Sequence, residues 1–242
     1  MIEYLVENNI DDRSIDKAVR LLKKGALVAL PTDTTWVVVC SMQSKEGIKK
    51  MRRLSGERNE RHFTLLCSDI SQFGTFCSID NARFRLIKKL SPGPYVFILR
   101  TLHGTDKILG LRRAELGVRI PANAVPCAVV QALGVPLYSI TAKKSMPGAL
   151  GAFMPRLQFE KGVHTNGSDA FLDEESRASG GGELPPIPED ELFEGGWELE
   201  AIAELDLILD TGDESRRSFS TILDLTGDEV KVTRQGAGVF PL

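Results

Sequence analysis

Two kinds of residue stand out for the chemistry they could do: hydroxyls gathered in short turns, and cations set inside apolar runs. Pro31-Thr-Asp-Thr-Thr-Trp36 places three hydroxyls and a carboxylate between two apolar segments. Ser139-Ile-Thr-Ala-Lys-Lys-Ser145 ends another apolar run with hydroxyls and two cations, and Phe219-Ser-Thr-Ile-Leu-Asp224 and Thr233-Arg-Gln-Gly236 add more of both. Gly117-Val-Arg-Ile-Pro121 puts Arg119 among strand-forming residues, where a cation without a partner is costly. Hydroxyls beside guanidinium groups suit the oxygens of phosphates and carboxylates. Taken singly, each turn also has a structural use, because threonines order turns and arginines pair with acids.

Other chemistries find no support. There is no phosphate loop of the GxxxxGKS or GxxxxGKT type, no GxGxxG after a strand and no GxSxG. His62, His103 and His164 are isolated, with no HExxH and no Cys/His ligand spacing, so no metal site is expected. Cys40, Cys67, Cys77 and Cys127 form no CxxC and read as reduced, mostly buried thiols of a cytoplasmic protein. The acidic N-terminus does not resemble a signal peptide, and no uncharged apolar stretch reaches the ~18–20 residues that span a bilayer.

The elements that must position these turns alternate between two periods. Ile15, Ala18, Val19 and Leu22 make one apolar helix face that Gly25 ends, followed by strand-like runs at 26–30 and 36–40. Ser44 can cap a helix with Ile48 and Met51 inward, and Asp80 one with Phe84, Ile87 and Leu90 inward. Asn123 can cap a third helix, over 124–133, which Gly134 ends. Further strands are predicted at 63–67, 95–99, 117–120, 136–140, 205–209, 221–225 and 229–233. Such alternation predicts an α/β fold with helices packed against a twisted sheet, whose strand ends are where ligands collect.

The chain has 242 residues and a net charge of only −3, which hides an asymmetry. Residues 1–150 carry 23 Lys and Arg against 13 Asp and Glu, whereas residues 151–242 carry 7 against 20. The acid concentrates in 157–205, with 13 acidic residues against Lys161 and Arg177, beside Gly180-Gly-Gly182 and Pro185-Pro-Ile-Pro188. We read 147–205 as a solvated acidic insertion in one 1–242 domain, with Phe193, Trp197 and Leu199 marking an end that docks.

The order of the polar turns carries a more specific signal. Pro31-Thr-Asp-Thr34, Ser91-Pro-Gly-Pro94, Gly117-Val-Arg-Ile-Pro121, Pro136-Leu-Tyr-Ser-Ile-Thr-Ala142, Ser220-Thr-Ile-Leu-Asp224 and Arg234-Gln-Gly236 resemble, in that succession, the Sua5/YrdC/YciO family. His62-Phe-Thr-Leu-Leu-Cys67 is nearest to its YciO branch. The resemblance implies a YrdC-like domain, a twisted mixed sheet with a basic concave face. It implies a reaction in which L-threonine, bicarbonate and ATP, the last with Mg²⁺, give threonylcarbamoyl-adenylate and pyrophosphate for tRNA modification. It also implies roles: Thr34, Trp36, Arg119, Ser139 and Ser220 toward threonine, and Arg58, Thr141, Ser145 and Arg234 toward the nucleotide. Arg58, Thr141 and Lys143 would serve the reacting phosphate.

Three departures bear on that activity. The family's Lys-x-Arg is Gly56-Glu-Arg58 here, its Ser-Ala-Asn is Thr141-Ala-Lys143, and its Tyr-Gly-Leu is Trp36-Val-Val38. The competing reading is therefore a weak or inactive paralogue that binds double-stranded RNA or tRNA through cations such as Arg52, Arg53, Arg61, Arg83, Arg85, Lys88 and Lys89. Steep salt dependence of RNA binding separates that reading from a synthase, which must make product.

Overall fold

The computed structural model describes residues 1–5, 10–55, 64–103, 114–146, 189–213 and 217–240. Its strands are β1 (Ile2–Tyr4), β2 (Val28–Leu30), β3 (Val37–Ser41), β4 (Thr64–Leu66), β5 (Tyr95–Arg100), β6 (Glu115–Arg119), β7 (Leu137–Thr141), β8 (Leu207–Asp210), β9 (Thr221–Asp224) and β10 (Lys231–Arg234). They form one mixed sheet in the order β1-β8-β2-β3-β7-β4-β6-β5-β9-β10. The α-helices are α1 (Asp12–Lys23), α2 (Lys45–Leu54), α3 (Ser71–Phe76), α4 (Asn81–Leu90) and α5 (Ala124–Leu133).

Local chemistry accounts for the helix ends. Ser44, Asp80 and Asn123 each accept a hydrogen bond from a backbone N–H of the first turn, which satisfies a donor the helix itself leaves orphaned. Gly134 ends α5 at φ 79°, a left-handed conformation that side chains resist. One inward position differs from expectation. Phe84 is exposed, because α4 buries only Ile87 fully and lies at the margin of the core. β1 and α3 escaped the sequence reading, as each is too short to show a period.

Strand alternation splits the core into two layers. Val28, Leu30, Val37, Val39, Leu66, Leu137, Leu207 and Leu209 face α1 and α5. Their neighbours Ala29, Val38, Cys40, Leu65, Tyr138 and Ile208 belong to the opposite layer, with Met51 of α2 and Ile87 of α4. Because both sheet faces are covered here, these strands read as continuous apolar runs instead of alternating ones.

The end of the acidic stretch is part of this core. Leu192, Phe193, Leu199 and Ile202 are buried, and the Asp210 carboxylate of β8 accepts from Gly196 N at 3.2 Å. Lys143 forms a β-bridge with Leu192, and Lys144 N donates to Glu191 O at 2.9 Å. Phe193 and Leu199 thus dock as expected, whereas Trp197 is 62% exposed. Residues 147–188 lie outside the described residues. No helix among the described residues is long and apolar enough to cross a membrane.

The four thiols are free, three of them buried. Burial pushes Cys40 and Cys77 up to about 12, and Cys67 higher still. A thiol whose folded value is raised stabilises the fold fully below its unfolded value, near 9, and loses that contribution as pH rises toward 12. Unfolding free energy is expected to fall over that window by up to about 1.4 kcal/mol per pH unit for each buried thiol, read by urea titration at pH 8, 9.5 and 10.5. Phe193→Ala is expected to cost about 3–5 kcal/mol in the same assay, as a buried aromatic does. Trp197→Ala should stay within about 0.5 kcal/mol, as at other exposed positions.

Candidate functional site

Strand register gathers the polar side chains. Arg119 pairs with Leu66, Ser139 with Val39 and Thr141 with Val37, so all three share the sheet face that α1 and α5 cover elsewhere. Arg234 lies opposite Ile222 across β9 and β10, after a bulge that shifts the register. Ser220 leads into β9, and the 31–36 turn reaches the same place: Ser218 N donates to Thr34 O at 3.2 Å.

Arg119 is the centre of the group, at 3% exposure. Its Nη1 donates to Ser220 Oγ at 2.6 Å and Thr34 Oγ1 at 3.0 Å, its Nη2 to Asp33 Oδ1 at 2.6 Å, and its Nε to Gly93 O at 3.4 Å. These contacts use four of the five guanidinium N–H groups, leaving one on Nη2. Burial lowers the guanidinium from its ordinary value, while the adjacent Asp33 carboxylate raises it. Asp33 Oδ2 is buried without a hydrogen-bond partner.

The 31–36 turn holds these acceptors in place. Thr32 Oγ1 donates to Thr35 O at 2.6 Å and accepts from the backbone N–H groups of Thr34 and Thr35 at 3.2 Å. Its single proton is then committed, so in the 3.1 Å contact between the two hydroxyls Thr34 donates to Thr32. Thr34 Oγ1 thereby keeps its lone pairs for Arg119. Arg234 is drawn in from β10: its Nε donates to Ser220 O at 3.1 Å and its guanidinium lies 5.1 Å from the Phe219 ring centroid.

The arrangement can take an anion or a carboxylate where strands end, and its order along the chain is that of a known family. A model for Sua5, YciO and YrdC proteins, described as "Telomere recombination", matches residues 20–150. The chain belongs to the Sua5/YciO/YrdC family. YciO of Escherichia coli K12, called uncharacterized, is 34% identical over 137 residues, which are 56% of this chain and 66% of that protein, just under two thirds of its length. The threonylcarbamoyl-AMP synthase of Mus musculus is 29% identical over 128 residues, 53% of this chain and 45% of the enzyme. The crystal structure of E. coli YciO aligns with a TM-score of 0.73 at 25% identity, covering 99% of this chain and 97% of that one.

Within this family member the expected site residues divide. Thr34 and Ser220 both accept from Arg119, and Arg234 reaches the Ser220 carbonyl. Ser139 lies on the same face but donates to Thr64 O at 2.9 Å, away from Arg119. Thr141 ends β7, and Lys143 and Ser145 follow it in the turn that leads toward the docked 189–202 segment. Arg58 and Gly56 lie outside the described residues.

Trp36 is a correction. Its carbonyl accepts from Ala142 N at 2.9 Å, and by strand parity the indole joins the opposite layer with Val38 and Ala142, at 1% exposure. There it packs in the core with the layer opposite to the one that Arg119 faces. In the sequence Asp33 is simply the carboxylate of its turn. The signal that finds it is Arg119 itself: a cation inside a central strand needs a carboxylate, and the hydroxyl-rich turn contains one.

Arg119→Met leaves the Asp33 carboxylate buried without its cation and is expected to cost about 3–5 kcal/mol of unfolding free energy. The double variant Arg119→Met/Asp33→Asn should recover at least half of that loss. A thermodynamic cycle by urea denaturation reads both.

Proposed function

We propose that this chain is an ATP-dependent threonylcarbamoyl-adenylate synthase of the YciO type. The observation that carries this reading is the buried Arg119, framed by Thr34, Ser220 and Asp33 with one N–H left over, in a chain related to threonylcarbamoyl-AMP synthases. A guanidinium so held suits a carboxylate, because its hydroxyl acceptors fix its plane before the ligand arrives.

In this reading L-threonine places its carboxylate on Arg119, and its amine bonds to the carbon of carbon dioxide drawn from bicarbonate, the amine proton and the bicarbonate hydroxide leaving as water, to give a carbamate. A carbamate oxygen attacks the α-phosphorus of ATP, the bond to the β-phosphate oxygen breaks, and pyrophosphate leaves. Nucleophile and electrophile are both anionic, so cations and positioning matter more than a strong base. Arg234, beside Ser220, and Lys143, past the end of β7, are the described cations assigned to the phosphates, with Arg58 and Mg²⁺ carried on the ATP. Glycine at position 56 removes one cation that the family pattern supplies, and the loss of one such group is worth about 3 kcal/mol, a rate reduction on the order of a hundredfold. A slow enzyme is the expected result. Free thiols and these substrates support a cytoplasmic setting.

The RNA-binding reading is weaker. Of the cations that reading needs, Arg83 is already held by the Asp80 carboxylate and the Leu225 and Gly227 carbonyls.

The deciding experiment incubates the protein with ATP, bicarbonate and L-threonine and detects product by mass spectrometry. Threonylcarbamoyl-adenylate and pyrophosphate are expected in equal amounts, dependent on all three substrates. No product above an enzyme-free control at high protein concentration overturns the assignment.

A further inference from the structure

Neither crowding nor backbone conformation requires a glycine at position 117. Gly117 sits in the middle of β6, a central strand, where glycine weakens pairing and packs nothing. It is not among the positive-φ glycines. A Cβ there would come no closer than 3.4 Å to any neighbour, meeting Thr64 Oγ1 and Val96 Cγ1 at that distance. Elsewhere the need is plain: at Gly236 a Cβ would stand 2.2 Å from Phe219 O.

The surroundings of Gly117 say what the missing side chain leaves open. Among the described residues, the layer under α1 and α5 draws on β8, β2, β3, β7 and β4 and on none of β6, β5, β9 and β10. On that uncovered half of the face, Thr64, Gly117, Val96 and Ile98 are all partly exposed, whereas Val118, Phe97 and Leu99, pointing the other way, are fully buried. The bare backbone of Gly117 thus lies between Thr64 on one side and Val96 and Ile98 on the other. Arg119 stands at one end, two residues or about 7 Å along the strand from Gly117.

We infer that Gly117 is a specificity-determining residue: its bare backbone is the floor over which a carboxylate ligand anchored at Arg119 lies, and a side chain there excludes that ligand. This rests on the synthase reading, in which the ligand is L-threonine. It goes further in naming a residue that touches the ligand's body and sets how much room it has.

The test measures L-threonine binding by calorimetry, and thermal midpoints, for the wild type, Gly117→Ala and Gly117→Val. Because a Cβ fits between Thr64 and Val96, the Gly117→Ala midpoint should hold or rise. Threonine affinity should fall at least fivefold in Gly117→Ala and at least fiftyfold in Gly117→Val. A folded Gly117→Val that binds threonine within twofold of wild type overturns the role of Gly117 and leaves the synthase reading standing. A Gly117→Ala that melts well below wild type also overturns it, since the glycine would then serve packing. A wild-type chain that binds no threonine overturns the threonine reading itself.

Discussion

A guanidinium buried in the middle of a sheet is the constraint around which the site is organised. Removing Arg119 from water is tolerable only if its N–H groups meet acceptors and its charge meets a carboxylate. Those partners come from three other parts of the chain: the 31–36 turn, the Gly93 carbonyl and Ser220. Each lies far from Arg119 in sequence, so the network exists only once β2, β3, β5, β6 and β9 have found their register. The same bonds that make the cation bearable therefore close the strand ends around the place where a ligand would bind.

The sheet's two faces divide the remaining work by parity. One layer packs α2, α4 and the 189–202 segment against Val38, Tyr138 and Val118 and contains Trp36. Among the described residues, α1 and α5 cover the other over half its width, and Thr64, Gly117 and Val96 lie partly exposed over the rest. A ten-strand sheet is wider than two helices, each about 10 Å across, can cover. That mismatch of widths leaves part of the face beyond the reach of the two helices.

Charge is arranged to match. The excess acid of the C-terminal part does not all stay in solvent: Glu194 and Glu198 pair Arg217 and Lys144, beside the strand ends that carry Ser220 and Thr141. Exposed pairs of this kind contribute at most about 1 kcal/mol to stability, so their effect is on which anions the rim attracts. A segment read from composition as solvated loop thus includes a stretch held by Leu192, Phe193 and Leu199 that helps shape the rim.

Local rules made much of the fold legible in the sequence. Helix caps at Ser44, Asp80 and Asn123, the stop at Gly134 and nine of the strands depend on neighbours within a few residues, and so does the order of the polar turns that marks the family. Thr34, Arg119 and Ser220 were identifiable for the same reason: hydroxyls and a cation in apolar surroundings are anomalies that a short window reveals. What the window cannot contain is parity and partnership. Trp36 and Thr34 are two residues apart and were read as one pocket wall, yet strand pairing sends the indole to the other layer while Thr34 meets Arg119. Asp33 became the counter-ion of Arg119, and Gly117 came to lie between Thr64 and Val96, only through register between strands distant in sequence. Composition and spacing determined which chemistry this protein has available; tertiary structure decided which atoms meet, because a buried charge and a bare backbone take their meaning from what the fold brings beside them.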